Sequence, residues 1–196
     1  MGILTLVLLL LCCVGAAALL YNLGLWSFRL PDRPFTADAL LLSTEDLGSG
    51  WVLSAEEHNP NGYPDKNIIV EIASRNFVYR TKEGDLIEVG GFVYRCDNKI
   101  HARSYLREDR LYFGDNLPPD NLVDLFQPYY ADDRLLYMLG DFLHYSAVYD
   151  EYYVNFGIGP ISAINGSEES TVIYGRLGQG LYTLDERIGR LLGEVP

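Results

Sequence analysis

Eighteen consecutive residues, 3 to 20, carry one polar side chain, Thr5, and no charge. The apolar character continues to Trp26, which predicts a helix of more than the roughly 20 residues needed to cross the hydrocarbon of a bilayer. Tyr21, Trp26 and Phe28 at its far end read as an interfacial anchor, and Gly15, Ala16, Ala17 and Ala18 as a stripe of small residues that lets another helix approach. A cleaved signal peptide with its cleavage site at Ala16 to Ala18 is the alternative, weakened by the missing basic residue ahead of the run. Residues 1 to 28 are therefore expected to be a transmembrane anchor, and the proline-punctuated stretch 29 to 39 a short tether.

After the tether the pattern becomes that of a folded domain, residues 40 to 196. "LLLSTEDLGSGW" (40 to 51) places Ser43 and Asp46 at capping-box spacing, so a short helix is expected there, stopped by Gly48 and Gly50. Residues 68 to 80 and 86 to 95 are rich in β-branched and aromatic residues with partial alternation, and "TKEGD" between them has hairpin chemistry, so they read as paired antiparallel strands. Residues 97 to 109 space Ile100, Ala102 and Leu106 for a helix capped by Asp97 or Asn98. Between 110 and 143, "DNLVDLF" and "ADDRLLYMLGDFL" are expected as two short helices. Residues 144 to 159 read as a strand, "PISAINGSEES" as a loop, "TVIYGRLGQGLYTL" as a second hairpin turning at Gly178 to Gly180, and 184 to 192 as an amphipathic closing helix. The expected fold class is α+β: an antiparallel sheet of about four to six strands packed with helices, with a hint of two strand-strand-helix halves.

Composition changes this picture at one point. The net charge of −12 lies wholly at Arg29 or later, and a domain that acidic, without a Lys/Arg stripe, repels phosphate backbones, so nucleic acid is excluded as a partner. Cys12 and Cys13 fall in the apolar run, leaving Cys96 without a partner for a disulfide in the soluble part.

Candidate chemistry is sparse. His58, His101 and His144 lack a second His or Cys at ligand spacing, the acidic residues around Asp115, Asp120, Asp124, Asp132 and Asp133 do not form a calcium loop, and "GRLGQG" has the wrong glycine spacing for a phosphate loop. No catalytic, cofactor or metal residue is assigned. Ser146 and Ser170 stand outside any nucleophile elbow, and a hydrolase would need Ser, His and Asp to converge through the fold. The most unusual feature is aromatic: with 15 tyrosines in the chain, Tyr145, Tyr149, Tyr152, Tyr153 and Phe156 crowd one strand-like stretch. An unbroken strand would set Tyr145, Tyr149 and Tyr153 on one face and Tyr152 with Phe156 on the other, so one face is expected in the core and the other as a partner surface.

The opening stretch, "LGDFLHYSAV" (139 to 148) and "VIYGRLGQGLYTL" (172 to 184) together resemble small membrane- or lipid-anchored bacterial extracytoplasmic α+β domains of the mycobacterial lipoprotein-like and kinase extracellular-sensor-like kinds. The chain departs from the sensor domains in lacking their disulfides and a kinase domain. The resemblance implies a non-enzymatic, periplasmic or cell-surface domain that binds other molecules. Two functions follow as expectations: a single-pass accessory subunit whose partners are the bilayer and the other subunits of a membrane complex, an electron-transfer assembly being one host, or a free-standing surface module that holds a small molecule, lipid or peptide between sheet and helices.

Overall fold

The computed structural model describes residues 12, 13, 15, 16, 35–62, 68–123 and 130–193. The chain divides into two compact units, Met1–Asp32 and Arg33–Pro196. In the first, Cys12, Cys13, Gly15 and Ala16 are helical and exposed; Ala17, Ala18, Tyr21, Trp26 and Phe28 lie outside the described residues. Among the described residues no helix is long and apolar enough to cross a membrane, so the transmembrane helix expected over residues 1 to 28, most of which lie outside the described residues, is not supported. The 23-residue closing helix has the length but carries Arg176, Asp185, Glu186, Arg187 and Arg190, and charges at that density exclude it from hydrocarbon.

The second unit is the α+β domain. Its described residues form one six-stranded antiparallel sheet in the order β1-β2-β3-β6-β5-β4, with β1 Trp51–Asn59, β2 Ile69–Arg80, β3 Leu86–Cys96, β4 Asp133–Leu139, β5 Phe142–Tyr149 and β6 Tyr152–Gly159. A 3-10 turn, Ala37–Leu40, and helix α1, Thr44–Leu47, precede β1. Helix α2, Lys99–Phe113, follows β3; α3, Asp120–Val123, precedes β4; α4, Ile161–Gly166, and α5, Ser170–Leu192, close the domain.

Strand alternation assigns the two faces. Phe77, Val89, Val154, Phe156 and Ile158 share one face and pack with Ile173, Leu177, Leu184 and Ile188 of α5 and with Leu40, Leu41, Leu42 and Leu47 of the opening stretch. Val148, Tyr153 and Cys96 point the other way and pack with Ala102 and Leu106 of α2. The sheet is thus a middle layer. Both segments run strand-strand-strand-helix, but a two-fold relating antiparallel β3 and β6 would stand normal to the sheet and keep both helices on one face. They lie on opposite faces, so the shared order is not a simple duplication.

The opening stretch folds as its residues dictate. Ser43 Oγ accepts from the Asp46 amide while the Asp46 carboxylate accepts from the Ser43 amide, and Gly48 ends α1 at φ +78°. Arg187 of α5 donates to the Leu41 carbonyl at 2.6 Å and pairs with Asp46 at 3.1 Å, so the stretch is strapped to the closing helix. The end of the supposed tether is also core: Phe35 stacks on Tyr152 at 5.6 Å and Ala37 is buried.

Four expectations change. Residues 133–139 and 142–149 are a strand pair turning at Gly140, where "ADDRLLYMLGDFL" was expected as a helix. Leu135 and Tyr137 face α2, whereas Leu136 and Met138 pack on the other core, and this alternation needs a strand. The stretch 144 to 159 is a hairpin, because Asp150 takes φ +54° and Glu151 follows as the turn. The expected second hairpin over 172 to 184 lies inside α5, and the expected loop after Pro160 contains α4. The edge strand β1 has no counterpart among the expected elements.

Candidate functional site

Helix α2 covers one end of its sheet face, and beside it lies an open groove of about 590 Å³. The ladder pairs Asn76 with Gly90, Gly90 with Gly157, Gly157 with His144, and His144 with Tyr137. Two adjacent strands therefore present no side chain at the middle of this row. Asn76 and His144 fold into the space: a Cβ on Gly90 would sit 2.4 Å from Asn76 Oδ1, and one on Gly157 would sit 2.9 Å from His144 Cε1. Their strands are three spacings apart, roughly 14 Å, so an amide and an imidazole lean toward each other over a bare floor.

The walls are mixed. Phe92 and Phe142 supply apolar surface, and Ser54, Ser74 and Asn155 supply hydrogen-bonding groups; among the described lining residues Glu88 is the one with a formal charge. Ser54 belongs to an irregularity in the β1 to β2 register and donates to the Asn76 carbonyl at 3.0 Å, which fixes that rim. His144 is held by aromatic contact: its ring stacks on Tyr137 at 5.2 Å, and Tyr137 stacks on Phe113 of α2 at 4.9 Å. Burial lowers its pKa below the usual 6.5, so the imidazole is neutral at pH 7. Its Nδ1 is buried and has no hydrogen-bond partner among the described residues.

Behind His144 runs a polar network anchored on Asp109 of α2. Ser146 Oγ donates to Asp109 Oδ2 at 2.5 Å, Tyr153 OH donates to the same oxygen, and Asn155 Nδ2 donates to Ser146 Oγ at 2.8 Å. Burial and the Asp109 charge push the Tyr153 phenol far above its ordinary value, so it remains a donor. Ser, His and Asp do converge here, but not as a nucleophilic triad. Ser146 is 0% exposed and spends its proton on Asp109, so the network locks α2 to the sheet and orients Asn155 toward the groove.

The tyrosines expected at a partner surface are in the core. Tyr145, Tyr149 and Tyr152 lie on the α5 face and Tyr153 on the α2 face, all four at 5% exposure or less. The hairpin turn at Asp150 and Glu151 resets the alternation that an unbroken strand would have kept. Tyr149 OH donates to buried Asp185 of α5 at 3.1 Å, with Tyr145 OH 3.2 Å away from it. Each face of the sheet thus ties its helix down through a tyrosine bonded to an aspartate.

A second cluster lies at the β1 edge, where Asp38, His58 and Glu71 bring one imidazole nitrogen and two carboxylates within 4.8 Å of one another. His101 instead pairs with Asp97 beside the Asn98 cap of α2, Nδ1 to Oδ1 at 2.5 Å. Neither the groove nor this cluster was expected from the sequence. For the groove the available signal was glycine at positions 90 and 157 inside strands, since a glycine there marks close approach over the sheet. For the cluster no sequence signal existed, because its residues are 13 to 33 positions apart and meet only through the ladder. The chain matches no protein-family model, no curated protein and no solved structure.

Proposed function

We propose that the domain is a non-catalytic binding module, and that its groove takes a small uncharged molecule with an apolar face and a hydrogen-bonding edge. The observation that carries this is the paired glycine floor between Asn76 and His144. A sheet filling that row with side chains would bury more apolar surface; leaving it bare sacrifices packing and creates a concave site, which is how small-molecule sites are built. The chemistry of the occupant follows from the lining. No cation among the described lining residues offsets Glu88, which disfavours an anion. A neutral imidazole and two carboxamides read heteroatoms along one edge, while Phe92 and Phe142 accept the flat apolar faces. The reading as an accessory subunit drew on the expected membrane anchor and its small residues as well as on a tyrosine surface, and of these the tyrosines are structural.

The test is amide-detected NMR titration of the full chain with three neutral planar probes: uracil, nicotinamide and indole. Saturable shifts for at least one of them are expected at Asn76, Gly90, His144 and Gly157. The exposed Asn76→Ala change and the floor-filling Gly157→Val change should each weaken binding about tenfold or more, the loss of one to two hydrogen bonds or of the space itself. No shifts in that row for any probe, or shifts that both variants leave intact, would sink the proposal.

A further inference from the structure

The geometry points to a divalent transition-metal site of the zinc type at the β1 edge, formed by His58, Glu71 and Asp38, independent of the groove and on the opposite face of the sheet. His58 pairs with Ala73 across the ladder, and Glu71 lies two residues from Ala73, so both side chains rise on the α5 face next to the 3-10 turn that carries Asp38. Imidazole and carboxylate both serve as ligands in open zinc sites, which keep three protein ligands and a water position; here one imidazole joins two carboxylates. With metal to ligand distances of about 2.0 to 2.2 Å, tetrahedral donors stand roughly 3.4 Å apart. Here His58 Nε2 and Glu71 Oε1 are 2.8 Å apart and all three donors lie within 4.8 Å, so closure needs displacements on the order of 1 Å.

The surroundings already hold the ligands in place. The Ala37 amide donates to Glu71 Oε1 at 2.8 Å, fixing a carboxylate that is otherwise buried beside the turn. Thr36 Oγ1 donates to Asp38, and Arg75 reaches Asp38 at 3.6 Å while its Nε bonds Glu56 at 2.5 Å. Such outer contacts orient metal ligands. His58 and Asp38 each leave about a third of the side chain exposed, so an ion has an entry path from solvent. Arg75 is the competing cation. It limits the affinity, since Asp38 must be shared with it.

The experiment is calorimetric titration of the full chain with zinc chloride, with Cys12 and Cys13 changed to Ser because both thiols are exposed and bind zinc themselves. Cys96 needs no change, being buried. One zinc per chain is expected, weakened at least tenfold by His58→Ala and by Glu71→Gln and unchanged by His101→Ala. In imidazole-nitrogen NMR the His58 resonances should move on zinc addition while those of His101 and His144 stay, which reads the site in a chain without ligand substitutions. No saturable binding, binding indifferent to His58→Ala, or movement of a different histidine overturns the assignment. The groove reading survives any of these outcomes, since its probes report on the other face.

Discussion

At the scale of single residues, burial decides what each polar group can do. Cys96 is the clearest case: burial first, then the charges of Asp97 and Glu151, pushes its thiol up to about 12. A thiol that rarely ionises is a poor nucleophile. Titration of the native protein with Ellman's reagent should therefore leave Cys96 unmodified, and denaturant should expose one additional reactive thiol. Rapid modification of Cys96 in the native state would contradict the packing of Ala102 and Leu106 around it. The same logic separates the tyrosines of 145 to 153 from any surface role, because all four are buried and the hydroxyls of Tyr149 and Tyr153 are spent on Asp185 and Asp109. Counting aromatics along the chain could not reveal this. One residue at positive φ, Asp150, turns a strand into a hairpin and reassigns the faces.

At the scale of elements, helix α5 shows how two glycines with the same local propensity differ by context. Gly175 is exposed and a Cβ there would meet nothing within 4 Å. Gly180 faces α1, and a Cβ there would stand 2.8 Å from the Asp46 carbonyl oxygen, a backbone atom that cannot swing away. Gly175→Ala should stabilise the domain by about 1 kcal/mol, the ordinary helix propensity gain. Gly180→Ala earns the same propensity but forces α1 outward, an overpacking cost of roughly 1 to 3 kcal/mol, so it should be neutral to destabilising. Urea unfolding of the two variants checks the difference, and equal stabilisation by both would mean α1 does not lie against Gly180. The glycines of "GRLGQG" are what made this helix read as a hairpin. The better signal was the spacing of Ile173, Leu177, Leu184 and Ile188, which is helical throughout. The capping box of α1, the β2 to β3 hairpin and the Asn98 cap of α2 were legible because each rests on contacts within a few residues.

At the scale of the whole domain, stability depends on links that join distant segments. Glu83, in the turn between β2 and β3, accepts from the Glu168 amide at 3.0 Å and from Ser167 Oγ at 3.0 Å, tying that turn to the start of α5. The Glu168 amide is the largest cause, with its own amide and Ser167 adding, and together they hold the carboxyl at about 2 against an ordinary 4.5. Because the folded value is depressed, the stability this link contributes is complete above pH 4.5 and is lost as pH falls toward 2. Glu83→Gln should lower stability at neutral pH and flatten the acid limb between pH 4.5 and 2, measured by denaturant melts at several pH values. An unchanged acid limb would show that the link is not formed in solution.

The sequence by itself determined the local features of this protein: the α+β class, the caps, the first hairpin, the acidic surface and the apolar positions available for a core. Those properties arise from near neighbours and composition. Only the tertiary structure decided the strand order, the two-faced burial of the tyrosines, the glycine-floored groove and the meeting of His58 with Glu71 and Asp38. The physical reason is that a sheet brings together residues by register across strands. Register depends on packing against α2 and α5, a property of the assembled layers that no short stretch of the chain contains.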